Sequence, residues 1–191
     1  MKKIYVTNGS ATNGKDTFAE MMGKYIHTYK YSSINLVKEM LEIAGIDRKE
    51  KTEEYRLLCS DLKDRLTKYD DIPFKDVASI VKDFKNNLID TDVLLIDIRE
   101  PEEIARAVKI FGAETILVRN PNTKKITSNH ADRDVENYDY DYIIENDGTL
   151  EQLDKVAHTF VESEIKCNLI PVEYAPIVTD KEVYIYKCSK Y

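Results

Sequence analysis

Apolar residues follow two rhythms along this chain. Short runs with little polar interruption, at Lys3–Asn8, Val93–Ile98, Thr115–Val118 and Tyr142–Ile144, read as strands. The run Val93-Leu94-Leu95-Ile96-Asp97-Ile98 is nearly continuous, the mark of a parallel strand covered on both faces. Between these runs the spacing changes to three and four. Phe18, Met21, Met22, Tyr25 and Ile26 predict a helix from about Lys15 to Tyr29, followed by a second strand near Tyr31 to Ile34. Val37, Met40, Leu41 and Ile43 predict another helix, stopped around Gly45. From Asp47 to Asp71 the charges alternate in sign while Tyr55, Leu58, Leu62, Leu66 and Tyr69 share one face, as in a long amphipathic helix with a solvated back.

Proline and glycine punctuate the rest. Pro73 suits an early helical position, and Val77, Ile80, Val81 and Phe84 carry that helix to Asn86 and Asn87. Pro101 opens the next helix and Gly112 closes it. Residues 120–140 are polar and aperiodic, so a loop is expected there. Thr149 followed by Gln152 makes a capping box for a helix through Leu153, Val156, Phe160 and Val161. The tail from Cys167 contains Pro171 and Pro176 and then the alternating run Val183-Tyr184-Ile185-Tyr186, which suits a hairpin or an edge strand. Strands alternating with helices imply a parallel sheet with right-handed crossovers, a three-layer α/β fold whose ligands gather beyond the carboxyl ends of the strands.

Composition narrows the functions this fold serves. At 191 residues the chain suits one medium domain with at most a small appendage, and 42% hydrophobic with 33% charged residues is a globular balance. A formal net charge of -7 argues against a general nucleic-acid or anionic-membrane binder, which needs a surplus of lysine and arginine. There is no run of transmembrane length and no leader-like apolar segment, so a cytoplasmic protein is expected. Cys59, Cys167 and Cys188 have neither even number nor metal-like spacing, which argues against a disulfide framework.

One segment carries a specific chemical signal. Gly9-Ser10-Ala11-Thr12-Asn13-Gly14-Lys15-Asp16-Thr17 fits G-x-x-x-x-G-K and lies between an expected strand and an expected helix, the context that a phosphate-binding loop requires. Glycines let the backbone wrap closely, the helix N-terminus and successive N–H groups face the phosphates, and Lys15 adds a mobile positive charge. Asp16 departs from the common pattern, which has serine or threonine directly after the lysine; the hydroxyl arrives one residue later, at Thr17. Asp16 in the first helical turn suits the helix dipole, which is its expected role, and Thr17 is left to reach a phosphate or the magnesium shell.

The loop form G-x-x-x-x-G-K-D-T, the segment Asp97-Ile98-Arg99-Glu100-Pro101-Glu102-Glu103 and the segment from Ile144 to Leu153 together resemble the deoxynucleoside monophosphate kinases of phages and bacteria. The resemblance runs from about Lys3 to Val161. Between Arg48 and Asn87 it is one of general character, and the tail after Ile165 lies outside it. The same loop form occurs in animal phosphomevalonate kinases. The resemblance implies an adenylate-kinase-like P-loop NTPase fold, ATP with magnesium as the donor system, and a nucleoside monophosphate acceptor. It divides the chain into a kinase domain over 1–166, with a helical acceptor-binding insertion over about 46–88 and a lid-like loop over about 120–140, and a C-terminal extension over 167–191.

Roles for individual residues follow. Gly9, Asn13, Gly14, Lys15, Asp16 and Thr17 are expected to bind the donor phosphates. Asp97, at the carboxyl end of an apolar strand, sits where a carboxylate would hold magnesium, with Thr17 as a second metal ligand. Arg99 is expected either to clamp the acceptor phosphate or to pair with Glu102 or Glu103. Arg119 and Arg133, the latter near Lys124, Lys125 and His130, are placed to neutralise the transferred group from a lid. Asn146 and Gly148 fall near the donor base, or simply make a turn before the capped helix. Arg48, Arg56 and Arg65 are candidates for the acceptor side. The expected partners are a nucleotide donor and a small phosphorylated acceptor, with no nucleic acid or membrane, and a homodimer is allowed. Two alternatives stay open: a kinase of another phosphorylated metabolite, of the phosphomevalonate or dephospho-coenzyme A type, and a nucleotide-binding regulatory module without turnover.

Overall fold

The computed structural model describes residues 2–46, 52–123, 135–166 and 185–187. Strands β1 (Lys3–Asn8), β2 (Thr28–Ser32), β3 (Val93–Asp97), β4 (Glu114–Arg119) and β5 (Tyr142–Glu145) form a parallel sheet in the order β2-β3-β1-β4-β5. The short strand β6 (Ile185–Lys187) adds antiparallel to the β5 edge, with Tyr142 opposite Lys187 and Ile144 opposite Ile185. β1 therefore lies at the centre, and the chain crosses from one side of it to the other between β3 and β4. The carboxyl end of β1 is the topological switch point where such sheets hold ligands.

Successive residues of a strand point to opposite faces, and the two cores sort accordingly. Tyr5, Val93, Leu95, Ile116, Val118, Tyr142 and Ile144 face helices α1 (Lys15–Met22) and α6 (Leu150–Phe160), packing against Phe18, Met22, Leu153 and Phe160. Ile4, Val6, Leu94, Ile96 and Leu117 face the other way, toward α4 (Ile72–Lys85) and α5 (Pro101–Phe111), where Phe74, Val77, Phe84, Ile104 and Phe111 meet them. The result is a three-layer α/β fold, a mainly parallel sheet with helices on both faces. On the first face Phe160 is completely buried and meets the rings of Tyr5, Phe18 and Tyr142 edge-on at 5.1 to 6.0 Å, the geometry that aromatic quadrupoles favour.

A smaller cluster joins α2 (Asn35–Ile43) to α3 (Glu53–Asp70) through Val37, Leu41 and Cys59. The face of α3 differs from the expected one. Leu58 and Tyr69 are exposed, whereas Cys59 and Lys63 are buried beside the half-buried Tyr55, Leu62 and Leu66. The reason is electrostatic. Lys63 Nζ lies 2.7 Å from Glu100 Oε2 and 2.8 Å from Glu103 Oε2, and two acidic partners make the burial of a lysine tolerable. At the same seam the Arg106 guanidinium pairs with the Asp71 carboxylate and lies 4.0 Å over the Phe74 ring. The α3–α4 hairpin is thus moored to α5 by charges at two points.

The first helix also differs from its expected span. α1 ends at Met22 with Gly23 as its C-cap, and the next strand begins at Thr28 rather than near Tyr31. Tyr25 and Ile26, which prolong the apolar period, pack against the first core from the connecting turn. Elsewhere the ends agree closely: α5 starts at Pro101 and gives way to Gly112 at φ 70°, and α6 carries the Thr149/Gln152 capping box with both reciprocal hydrogen bonds. No helix among the described residues is long and apolar enough to cross a membrane. Cys59 is a free thiol that burial pushes to a higher pKa, and Cys167 and Cys188 lie outside the described residues.

Candidate functional site: a phosphate loop with four charges at its mouth

The loop between β1 and α1 is shaped by what surrounds it. A Cβ on Gly9 would lie 2.5 Å from the carbonyl oxygen of Val118, so the backbone here can approach β4 only without a side chain. Gly14 stands at φ 88° and is the N-cap of α1, with no side-chain cap hydrogen bond on the first turn. A left-handed glycine followed by an uncapped helix start leaves backbone N–H groups to be met by an anion. Thr12, at φ 70°, is a non-glycine residue in the left-handed region, a conformation that costs free energy and clusters at ligand-binding loops.

Buried asparagines hold the loop in place. Asn8, fully buried, accepts from Gly9 N through Oδ1, while its Nδ2 donates to the Arg99 carbonyl at 3.1 Å and to Tyr140 Oη at 2.7 Å. Asn13 is also buried; its Oδ1 accepts from Thr123 Oγ1 at 2.6 Å, and its carbonyl accepts from Asn146 Nδ2 at 2.9 Å. One end of the loop is therefore tied to the β3–α5 turn and the other to the segments that leave β4 and β5.

Alternation along the strands then determines which polar side chains reach the mouth. Thr7 follows Tyr5 on the α1 face of the sheet, Asp97 follows Leu95 on the same face, and β1 pairs Thr7 with Asp97 directly. Thr7 Oγ1 donates to Asp97 Oδ1, and Lys15 Nζ lies 2.5 Å from Asp97 Oδ2. Lys30 on β2, opposite Leu95 of β3, reaches the same place: its Nζ is 3.1 Å from Asp97 Oδ2 and also contacts Asp16 Oδ1. Lys15 lies 3.3 Å from Asp16 Oδ1.

These contacts alter the expected role of Asp16. It sits in the first turn of α1 but caps nothing, and its carboxylate instead joins a four-member ion cluster with Lys15, Lys30 and Asp97. Partial burial alone would raise its pKa; the two ammonium groups outweigh that and hold it at about 2. For Lys30 the balance is mirrored. Desolvation would favour the neutral amine, and Asp97 and Asp16 together raise its pKa instead.

Sequence reasoning missed Lys30 and Thr7. A lysine between two tyrosines on a short strand carries no motif, and only the register of β2 on β3 aims it at Asp97. Among the other expected residues, Thr17 is half-buried in the first turn of α1, and Arg99 is half-buried where the chain leaves β3. Arg56 and Arg65 lie along α3. Arg133, Arg48, Lys124, Lys125 and His130 lie outside the described residues.

Beside the loop opens a cavity of about 540 Å³, lined in part by Ser10, Asn13, Arg119, Asn120, Glu145 and Asp147. Arg119 ends β4 there and donates through Nε to Glu145 Oε1 at 2.7 Å, while its carbonyl accepts from Asn146 N at 2.8 Å. Gly148 completes the turn between Asn146 and the capped start of α6. The cavity has a mixed lining and is continuous with the glycine loop through Asn13 and Ser10.

No protein-family model matches the chain, and no curated protein matches it. Several solved structures are similar in shape. Shikimate kinase from Aquifex aeolicus is 14% identical, with 84% of this chain and 97% of that one covered at a TM-score of 0.44. A sugar kinase from Janibacter sp. is 10% identical over 85% and 95% of the two chains at 0.47. The protein TT1252 from Thermus thermophilus is 15% identical over 86% and 98% at 0.42. The functional reading accordingly rests on the side chains at the carboxyl edge of the sheet.

Proposed function

We propose that this protein transfers the γ-phosphoryl group of ATP to a nucleoside or deoxynucleoside monophosphate. The observation that carries the reading is the direct contact of Lys15 with Asp97, 2.5 Å apart at the mouth of the glycine loop, which brings the phosphate-binding lysine and the strand-end carboxylate into one cleft. In this reading the loop from Gly9 to Thr17 cradles the donor phosphates with its N–H groups, and Lys15 leaves Asp97 to meet them. The residues also suit magnesium, which binds through one or two carboxylates and the substrate phosphates rather than a dedicated protein cage. Asp97 and Thr17 would hold it, and the ion would neutralise charge on the phosphate oxygens. The donor base goes to the cavity beside Asn146 and Gly148.

The chemistry asks little covalent help from the protein. An oxygen of the acceptor phosphate forms a bond to the γ-phosphorus while the bond from that phosphorus to the β–γ bridging oxygen breaks, and ADP leaves with the electron pair. Transition-state charge spreads over the γ-oxygens, and Arg99, Arg119 and Arg133 are the cations assigned to it. The acceptor lies on the side of Arg99 and α3.

The test is ADP formation with magnesium–ATP and a panel of acceptors: ribo- and deoxynucleoside monophosphates, phosphomevalonate and dephospho-coenzyme A. We expect turnover with a nucleoside monophosphate and a loss of about a thousandfold in Lys15→Ala, as for removal of a group that stabilises charge in the transition state. Turnover confined to a metabolite acceptor would keep the loop chemistry and replace the acceptor. Tight ATP binding with no acceptor-dependent turnover would overturn the kinase reading.

A further inference from the structure

Directly after the phosphate-loop lysine, where a neutral hydroxyl is usual, this chain carries a carboxylate. Left alone, Asp16 would oppose the reading above, because a triphosphate would meet Lys15 flanked by Asp16 and Asp97, a local sum of one negative charge. The structure supplies the missing cation from another element. Lys30 on β2 touches Asp16 and Asp97 together and brings the four-residue sum to zero.

Lys30 side-chain exposure is 33%, that of Asp97 is 12% and that of Lys15 is 14%, so these three charges meet at the partly desolvated floor of the cleft, where Coulomb terms outweigh their value in open water, while Asp16, 67% exposed, closes the cluster at its solvent edge. The register also confines the lysine to this place. Lys30 pairs with Leu95, one pleat before Asp97, and its stem runs along the α1 face of the edge strand to the first turn of α1.

We infer that Lys30 is the positioning cation of the triphosphate site: it cancels Asp16 and holds Asp97, so that Lys15 is available to the phosphates. Lys30 and Asp16 then form a matched pair, each tolerable at the mouth only with the other. This inference rests on the loop's binding a triphosphate, and the experiment separates the two.

Titrate ATP in the presence of a chelator, at low ionic strength, into the wild type, Lys30→Met, Asp16→Asn, the double variant and Lys30→Arg, and record affinity by calorimetry. Lys30→Met should weaken ATP binding roughly tenfold, the effect of one uncompensated charge at short range in a partly screened cleft. Asp16→Asn placed on Lys30→Met should restore affinity to within about threefold of wild type, Lys30→Arg should keep it, and added salt should shrink the differences. If Lys30 gripped the phosphates itself, Asp16→Asn would bring no rescue, and the inference fails. If Lys30→Met lowered the melting temperature and left affinity unchanged, the pair would serve only the fold, and the inference again fails. Absence of ATP binding by the folded wild type would overturn the triphosphate reading and this inference with it.

Discussion

The protein contains two clusters of lysine and carboxylate that look alike in composition and differ in almost everything else. At the loop mouth, Lys15 and Lys30 share Asp16 and Asp97, and one member, Asp16, has 67% of its side chain exposed. At the seam between α3 and α5, Lys63 is 6% exposed and holds Glu100 and Glu103. The mouth cluster balances to zero and borders solvent, so its members can exchange partners for a ligand at small cost. The seam cluster carries one net negative charge in a buried place. There burial would raise the Glu100 carboxyl, but Lys63 outweighs it and holds it low, whereas at Glu103 burial prevails and the carboxyl is raised. In the proposed reading the same chemical groups serve recognition where water reaches them and architecture where it does not.

The seam offers the most disruptive test of this contrast. Lys63→Ala should lower unfolding free energy by about 3 kcal/mol, because it strands two carboxylates in a buried site. Urea unfolding measures the loss, and ATP affinity of the folded variant should stay within about twofold of wild type. Loss of ATP affinity at unchanged stability would erase the distinction between the clusters. A smaller effect is expected at the start of α6, away from both clusters. Thr149→Ala removes the side-chain acceptor of the capping box and should cost about 1 kcal/mol by the same measurement.

The smallest expected effect concerns acid. The Asp16 carboxyl is held at about 2 in the folded protein, below its ordinary value near 4. A depressed carboxyl contributes stability above the unfolded value, and that contribution is lost as pH falls from about 4 to about 2. Asp16→Asn should therefore show a slightly flatter loss of stability across that window, read by thermal melting at stepped pH. An acid limb identical to wild type would show that Asp16 contributes nothing to folding linkage.

The two clusters also differ in how far they could be read from the chain. Lys15 and Asp97 were legible, because each belongs to a local pattern: a glycine loop entering a helix, and a carboxylate ending an apolar run. Lys30 was not, since its meaning lies in the pairing of Ser32 with Asp97 and Lys30 with Leu95, a relation between strands more than 60 residues apart. Lys63 was hidden for a related reason. Periodicity assigns a lysine to the solvated back of a helix, and the partners that bring it inside come from the start of α5. The α1 boundary shows a third limit: Tyr25 and Ile26 are apolar because the core needs them, and apolar spacing alone does not distinguish a turn packed on the core from another helical turn. Pro101, Gly112 and the Thr149/Gln152 pair marked their helix ends correctly because capping is local chemistry, independent of tertiary partners.

The most direct test observes the lysines themselves. With lysine side chains labelled for nuclear magnetic resonance, magnesium–ATP is titrated into the protein and the Lys15, Lys30 and Lys63 signals are assigned by single substitution to arginine. Binding at the loop should shift Lys15 and Lys30 with a common midpoint as the mouth cluster exchanges partners, and leave Lys63 in place. Saturable ATP binding with the Lys15 signal unmoved would contradict the assignment of the loop from Gly9 to Thr17 as the triphosphate site.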